Sequence, residues 1–133
     1  DNSKISGSSL ISGFATISGN AHIKDNAQVY GNAKIYDNAQ VGGNAHVADY
    51  AIIYSNAQVS DNAHIFHFVQ VSDKVIVKGN TQIGEGAKIS GDGELNVNDT
   101  ITEDVVLNSD RNNSASESES LSVEENRRKG LGI

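Results

Sequence analysis

The chain has 133 residues, a formal net charge of −7, and no Cys, Met, Trp or Pro. Its length fits one domain. Because apolar residues make up 37% and aromatic residues 5%, we predict a narrow core of small branched side chains. The negative charge argues against binding to nucleic acid or anionic lipid, no apolar run is long enough to span a membrane, and the lack of Cys excludes disulfides and thiol chemistry. The sequence indicates no compartment.

A six-residue repeat begins at the first residues and runs through most of the chain. Every sixth residue from Ile5 to Leu107 is aliphatic, eighteen positions in succession. The residue two places earlier is usually small, and it is Ala at all nine positions from Ala15 to Ala63. Two inward residues separated by one outward residue have the period of a strand. Each hexad therefore predicts one short strand.

The other two residues of a hexad predict a corner. They are usually Gly or Asp followed by Asn, as in Gly19-Asn20 and Asp25-Asn26, and we assign the left-handed backbone conformation to the Asn. Gly and Asp alternate with a period of twelve residues. Two hexads per coil would stack Asp on Asp about 4.8 Å apart, and the carboxylates would repel each other. Three hexads per coil avoid this, which predicts about six triangular coils of eighteen residues each.

Residues 109–133 differ from the repeat and are predicted to form a separate tail. Residues 112–120 are rich in Ser, Asn and Glu and indicate a flexible linker. Ser122 and Glu125 fit a capping box and Gly130 a helix end, so a short helix and disorder both remain open. We divide the chain into a repeat domain, 1–108, and this tail. The first residues already lie within a repeat, which suggests a piece of a longer array.

The repeat resembles the hexapeptide repeat of the left-handed parallel β-helix, the fold of bacterial hexapeptide acyltransferases. The resemblance covers residues 1 to about 108, with Ala33 and Ile35 inward and Asn32 at a corner, as in that family. It implies an all-β, single-stranded helix. The left hand comes from the resemblance, because parallel crossovers are otherwise nearly always right-handed.

Residues eighteen apart should stack in columns, and one corner column is aromatic. It reads Phe14, Asn32, Tyr50, Phe68 and Gly86. Such rings could simply reinforce neighbouring coils, or they could form an exposed apolar stripe for self-association or partner binding. We favour the stripe and expect a homo-oligomer, with a trimer preferred, or a protein partner. The predicted interface residues are Phe14, Tyr30, Tyr50, Ile52, Phe66 and Phe68.

The resemblance also implies a possible activity, since hexapeptide acyltransferases use a His as general base near a subunit boundary. His46 and His64 share one column, about 4.8 Å apart, and His67 lies at the aromatic corner within the least repeat-like stretch. The catalytic candidates are therefore His64 and His67, against the alternative that they are surface residues in a tolerant column. The chain lacks the loops that wall the active site in that family, and its tail is a poor substitute for the family's helical extension.

Zinc binding is a further possibility on this fold, because gamma-class carbonic anhydrases bind zinc through three His. The chain has no close match to that ligand motif, so we expect no metal site. We interpret the chain as a non-catalytic structural or binding module without a cofactor. By analogy, near-perfect arrays also act as rods in larger bacterial and phage-encoded proteins. The alternative is a trimeric acyltransferase that uses acetyl-CoA or another acyl-CoA, with His64 or His67 as base.

Overall fold

The computed structural model describes residues 2–108, and within them it has eighteen short parallel strands in three sheets of six. The predicted linker and short helix within 109–133 lie outside these residues. Sheet A contains β1 (Lys4–Ile5), β4 (His22–Ile23), β7 (Gln40–Val41), β10 (Gln58–Val59), β13 (Ile76–Lys78) and β16 (Glu94–Asn96). Sheet B contains β2 (Leu10–Ile11), β5 (Gln28–Val29), β8 (His46–Val47), β11 (His64–Ile65), β14 (Gln82–Ile83) and β17 (Thr100–Ile101). Sheet C contains β3 (Thr16–Ile17), β6 (Lys34–Ile35), β9 (Ile52–Ile53), β12 (Gln70–Val71), β15 (Lys88–Gly91) and β18 (Val105–Leu107).

The chain visits the three sheets in turn, so three hexads make one coil and six coils make the rod. Val29 pairs with Val47, and Ile35 with Ile53, at a spacing of eighteen residues. Backbone hydrogen bonds join the coils at the corners as well as in the strands: the N–H of Asn20 donates to the carbonyl of Asp37 at 2.7 Å. The predicted triangular coil is therefore confirmed.

The core is the thin spine of inward residues that the repeat predicts. Ala33, Ile35 and Ile53 are completely buried. Ile5 in the first coil is 53% exposed, because residues 2–108 supply no coil on its other side. Thr81 occupies an Ala position in the core, and its hydroxyl accepts the Val97 N–H at 2.9 Å and lies 2.8 Å from the Lys78 carbonyl. The buried hydroxyl is thus fully hydrogen-bonded, which offsets its desolvation.

The corners correct one prediction, because the left-handed residue is the first of each pair and not the Asn. Gly19 has φ +64° and Asp25 has φ +58°. Asn side chains instead bond along their columns, as from Asn20 to Asn38 at 3.2 Å. With the left-handed conformation at Asp, its carboxylate reaches the backbone N–H of the same corner one coil later.

We call this set of carboxylate contacts the corner ladder. Each contact gives a backbone N–H an acceptor in the preceding coil. The acceptors and donors are Asp25 with Gly43 at 2.9 Å, Asp37 with Ser55 at 3.0 Å, Asp49 with His67 at 3.0 Å, Asp61 with Gly79 at 3.0 Å, and Asp73 with Gly91 at 2.9 Å.

The eighteen-residue spacing fails in the last strand, where the sequence predicted that Leu107 would stack on Ile89. Val105 pairs with Ile89 instead, and Leu107 with Gly91, so the register has moved by two residues. The turn before β18 is shortened. There the Asp104 carboxylate accepts the Lys88 N–H at 2.9 Å. One coil earlier, the equivalent N–H of Gln70 donates to a backbone carbonyl, that of Ala87.

Candidate functional site

The aromatic corner lies between sheets B and C, and we define it by the six predicted interface residues. The structure places Phe14, Tyr50 and Phe68 in one column, with 82%, 53% and 64% of their surfaces exposed. The Tyr50 and Phe68 rings stack with centroids 5.1 Å apart and planes 6° apart. Burying such rings is favourable. The column therefore presents the stacked Tyr50–Phe68 pair to solvent, and Phe14 is exposed two coils from Tyr50, beyond Asn32.

On the sheet B side of the aromatic corner, large and small side chains alternate along the rod. Tyr30 and Phe66 are separated by Ala48, and Gly84 follows Phe66. A Cβ on Gly84 would lie 2.7 Å from Phe66 Cε2, so the Phe66 ring covers the next coil at that point. Phe66 consequently supports coil stacking and is half-buried, whereas Tyr30 is exposed.

On the sheet C side, Ile52 is half-buried beside the corner. Tyr36 and Tyr54 directly follow β6 and β9, at the ends of these strands away from the aromatic corner. Their rings stack with centroids 5.4 Å apart. Burial raises the pKa of Tyr36, and the neighbouring Tyr54 and Asp37 raise it further. This pair is outside the aromatic corner.

His46 and His64 stack on adjacent coils of sheet B with ring centroids 4.7 Å apart, which confirms their predicted spacing. The Tyr30 ring meets His46 edge-on at 6.2 Å. Burial lowers the pKa of His46, and a charge on His64 lowers it further, because two imidazolium rings at this distance repel. Together the rings border a groove of about 180 Å³ lined by Tyr30, His46, Ala48, Asp49, His64, Ile65 and Phe66.

His67 occupies an Asp position in the corner ladder. It has φ +59°, and its backbone N–H donates to Asp49. Its Nδ1 accepts the Glu85 N–H at 3.1 Å and lies 3.8 Å from Glu85 Oε2. Because Nδ1 accepts, the proton of the neutral ring is on Nε2. The lone pair that a general base would use is already engaged in this arrangement.

The two catalytic candidates therefore lie in different surroundings. His64 is exposed on sheet B beside the groove, and His67 is part of the corner ladder. Both stay predictions as catalytic residues. Among residues 2–108, no group of three or more His, Cys, Asp and Glu side chains is gathered closely enough to hold a metal ion.

The alternation of Gly and Asp in the sequence is a signal for the corner ladder. Charge repulsion explains the spacing of the Asp residues, but it does not predict that each carboxylate bonds to the next coil. His67 takes the place of an Asp in the same way, because its Nδ1 accepts the Glu85 N–H one coil later.

Among the described residues there is no helix with the length and apolarity needed to cross a membrane. The family model described as the YdcK beta solenoid repeat matches residues 27–43, slightly less than one coil. No curated protein and no solved structure matches the chain. Together with the three sheets and six coils, the family match supports the predicted hexapeptide-repeat left-handed β-helix.

Proposed function

We propose that this chain is a non-catalytic structural module, a rigid rod that self-associates through the aromatic corner. The observation that carries the proposal is the exposure of Phe14, Tyr50 and Phe68 in a single column. Exposed apolar surface gathered on one side of a protein marks interaction sites. Aromatic residues are also enriched in the centres of protein interfaces.

The exposed rings are large enough to affect association measurably. Full burial of an aromatic side chain contributes about 1.5–3 kcal/mol. Since more than half of each ring is exposed, burial in an interface contributes about 1–2 kcal/mol per ring. Each additional copy brings its own three rings. Half-buried Ile52 and exposed Tyr30 extend the same surface on either side.

The acyltransferase alternative has less support from the geometry. The Nδ1 of His67 is occupied by the Glu85 N–H. The groove beside His64 holds about 180 Å³, below the range of about 300–1,000 Å³ typical of pockets for small ligands. An acyl-CoA donor would therefore need further walls from a second copy. We rank the structural function first.

The test compares two matched double variants of the full chain by sedimentation velocity and equilibrium. Y50S/F68S removes the stacked pair in the aromatic corner, and Y36S/Y54S removes the stacked pair at the far end of sheet C. Both lose a ring stack between adjacent coils, with centroid distances of 5.1 and 5.4 Å. The loss of coil stability should therefore be similar.

We expect the dissociation constant of Y50S/F68S to rise at least about tenfold, since two rings contribute more than the 1.4 kcal/mol that a factor of ten represents. The constant of Y36S/Y54S should be unchanged. A monomeric wild type, or equal effects of the two variants, would contradict the proposal.

A further inference from the structure

The aromatic corner has side chains of unequal size at its two ends. Phe14 in the first coil is 82% exposed. Gly86 occupies the same column in the fifth coil, and a Cβ built on it would meet nothing within 4 Å. Tyr50 lies midway, two coils from each. With a rise of about 4.8 Å per coil, the exposed Phe14 ring and Gly86 lie about 19 Å apart, centred on Tyr50. We call the position of Gly86 the notch, because it has no side chain and open space beside it.

The rod is also electrically asymmetric along its length. Residues 2–54 contain three Lys and three Asp, with no net charge. Residues 55–108 contain three Lys against eight Asp and Glu, a net charge of −5. Side-by-side rods in parallel would place the two acidic halves together. Antiparallel rods would place each acidic half beside a neutral one, which lowers the repulsion.

Resting on the proposed function, we infer that the occupant of the aromatic corner is a second, antiparallel copy of this chain. The two copies of Tyr50 meet near a two-fold axis. Each copy of Phe14 lies over the notch at Gly86 of the other. A two-fold interface brings one patch against itself, and reversal of this column sets Tyr50 against Tyr50, Phe14 against Gly86 and Phe68 against Asn32. A parallel pair would instead oppose Phe14 to Phe14 and leave the two notches facing each other.

The residues of the corner ladder that flank the column favour the same direction. Glu85 lies beside the notch and is 67% exposed. In a parallel pair or trimer it would face another Glu85. In the antiparallel pair it faces Gly13, which carries no charge. Asp49, beside Tyr50, faces its own copy in either direction, so the difference in repulsion comes from Glu85.

Cysteine cross-linking can distinguish an antiparallel from a parallel pair of rods, because the chain has no Cys of its own. Three single variants of the full chain are made at exposed positions: Y50C, F14C and G86C. Each is oxidised alone, and F14C is also oxidised in an equimolar mixture with G86C. A disulfide requires Cα atoms about 4.4–6.8 Å apart, and a short bismaleimide extends the reach. Circular dichroism checks that each variant is folded.

We expect Y50C to form covalent dimers, F14C and G86C to stay uncross-linked when alone, and their mixture to form the mixed dimer several-fold more than either homodimer. Covalent F14C homodimers would overturn the antiparallel direction while leaving self-association through the corner intact. Failure of Y50C to cross-link, with a monomeric wild type, would overturn both the direction and the proposed function.

Discussion

The corner glycines allow a sharp test of how closely the coils approach. Gly43 has φ +62°, and a Cβ placed on it would lie 2.5 Å from the Asp61 backbone nitrogen and 3.0 Å from the Asp61 Cα. G43A therefore combines two costs. The left-handed conformation costs Ala about 1–2 kcal/mol, and forcing an extra carbon into a filled space costs about 1–3 kcal/mol.

A smaller effect opposes these costs, because replacing Gly by Ala restricts the unfolded chain and contributes about 0.4–1 kcal/mol in the other direction. We expect G43A to lower the free energy of unfolding by about 2–4 kcal/mol. The measurement is urea unfolding followed by circular dichroism in dilute protein. A lower urea midpoint, with an unchanged slope of the free energy against urea concentration, would show that only the stability has changed.

G86A is the matched control, because its added Cβ enters open space and Gly86 is not left-handed. We expect its free energy of unfolding to change by no more than about 0.5 kcal/mol. Equal losses in G43A and G86A would refute the argument that the left-handed conformation and the short distance to Asp61 destabilise a side chain at position 43.

Two other expected outcomes test the core and the His stack. I53D should prevent folding, because it places a charge without a partner at a position with no solvent exposure. The control I53V should lower the free energy of unfolding by only about 0.5–1.5 kcal/mol. If circular dichroism shows that I53D is folded, the narrow core is contradicted. For the His stack, the folded chain holds the pKa of His46 below 6.5, so the unfolded chain binds that proton more readily. The free energy of unfolding should therefore be unaffected by His46 above about pH 6.5 and should fall as the pH drops from there towards the lower folded pKa. H46Q should show a smaller decrease in Tm between about pH 7.5 and 5, and an unchanged decrease would count against the stack as its source.

The coil could be predicted from the sequence because its core has room for only two residues per strand. An inward polar residue is costly in such a spine, so the period of six at positions such as Ile35 and Ile53 is strict. Once three hexads close a coil, neighbours follow at eighteen residues. The stack of His46 on His64 was predicted in this way, and its 4.7 Å spacing confirms it.

Side-chain orientation and local changes of register were harder to predict. The sequence placed Asp25 at a corner but did not show which residue of the pair is left-handed, because Asn and Asp both tolerate that conformation. It could not show that the Asp carboxylate reaches the next coil. Period counting also put Leu107 above Ile89, although Val105 fits the same apolar position and a shortened turn places it there.

The corner ladder bears on why the aromatic rings are exposed. At the other two corners, Asn occupies most of the second positions of the pairs, and three of the amides bond to the Asn one coil later, as from Asn80 to Asn98 at 2.9 Å. The aromatic corner keeps the ladder through Asp49 and His67, so its backbone is held in the same way. The backbone at Phe68 therefore has the ladder contacts of the other corners and requires no ring for them.

Stacking between coils explains a ring that lies flat on the next coil, as Phe66 does on Gly84. It does not explain Phe14, which is 82% exposed and is followed in its column by Asn32. A ring at that position exposes apolar surface to water, which is unfavourable, and it contributes little to the stability of the isolated rod. A surface that is unfavourable in the single rod becomes favourable when another molecule covers it, and this is the physical basis for proposing that the aromatic corner mediates association.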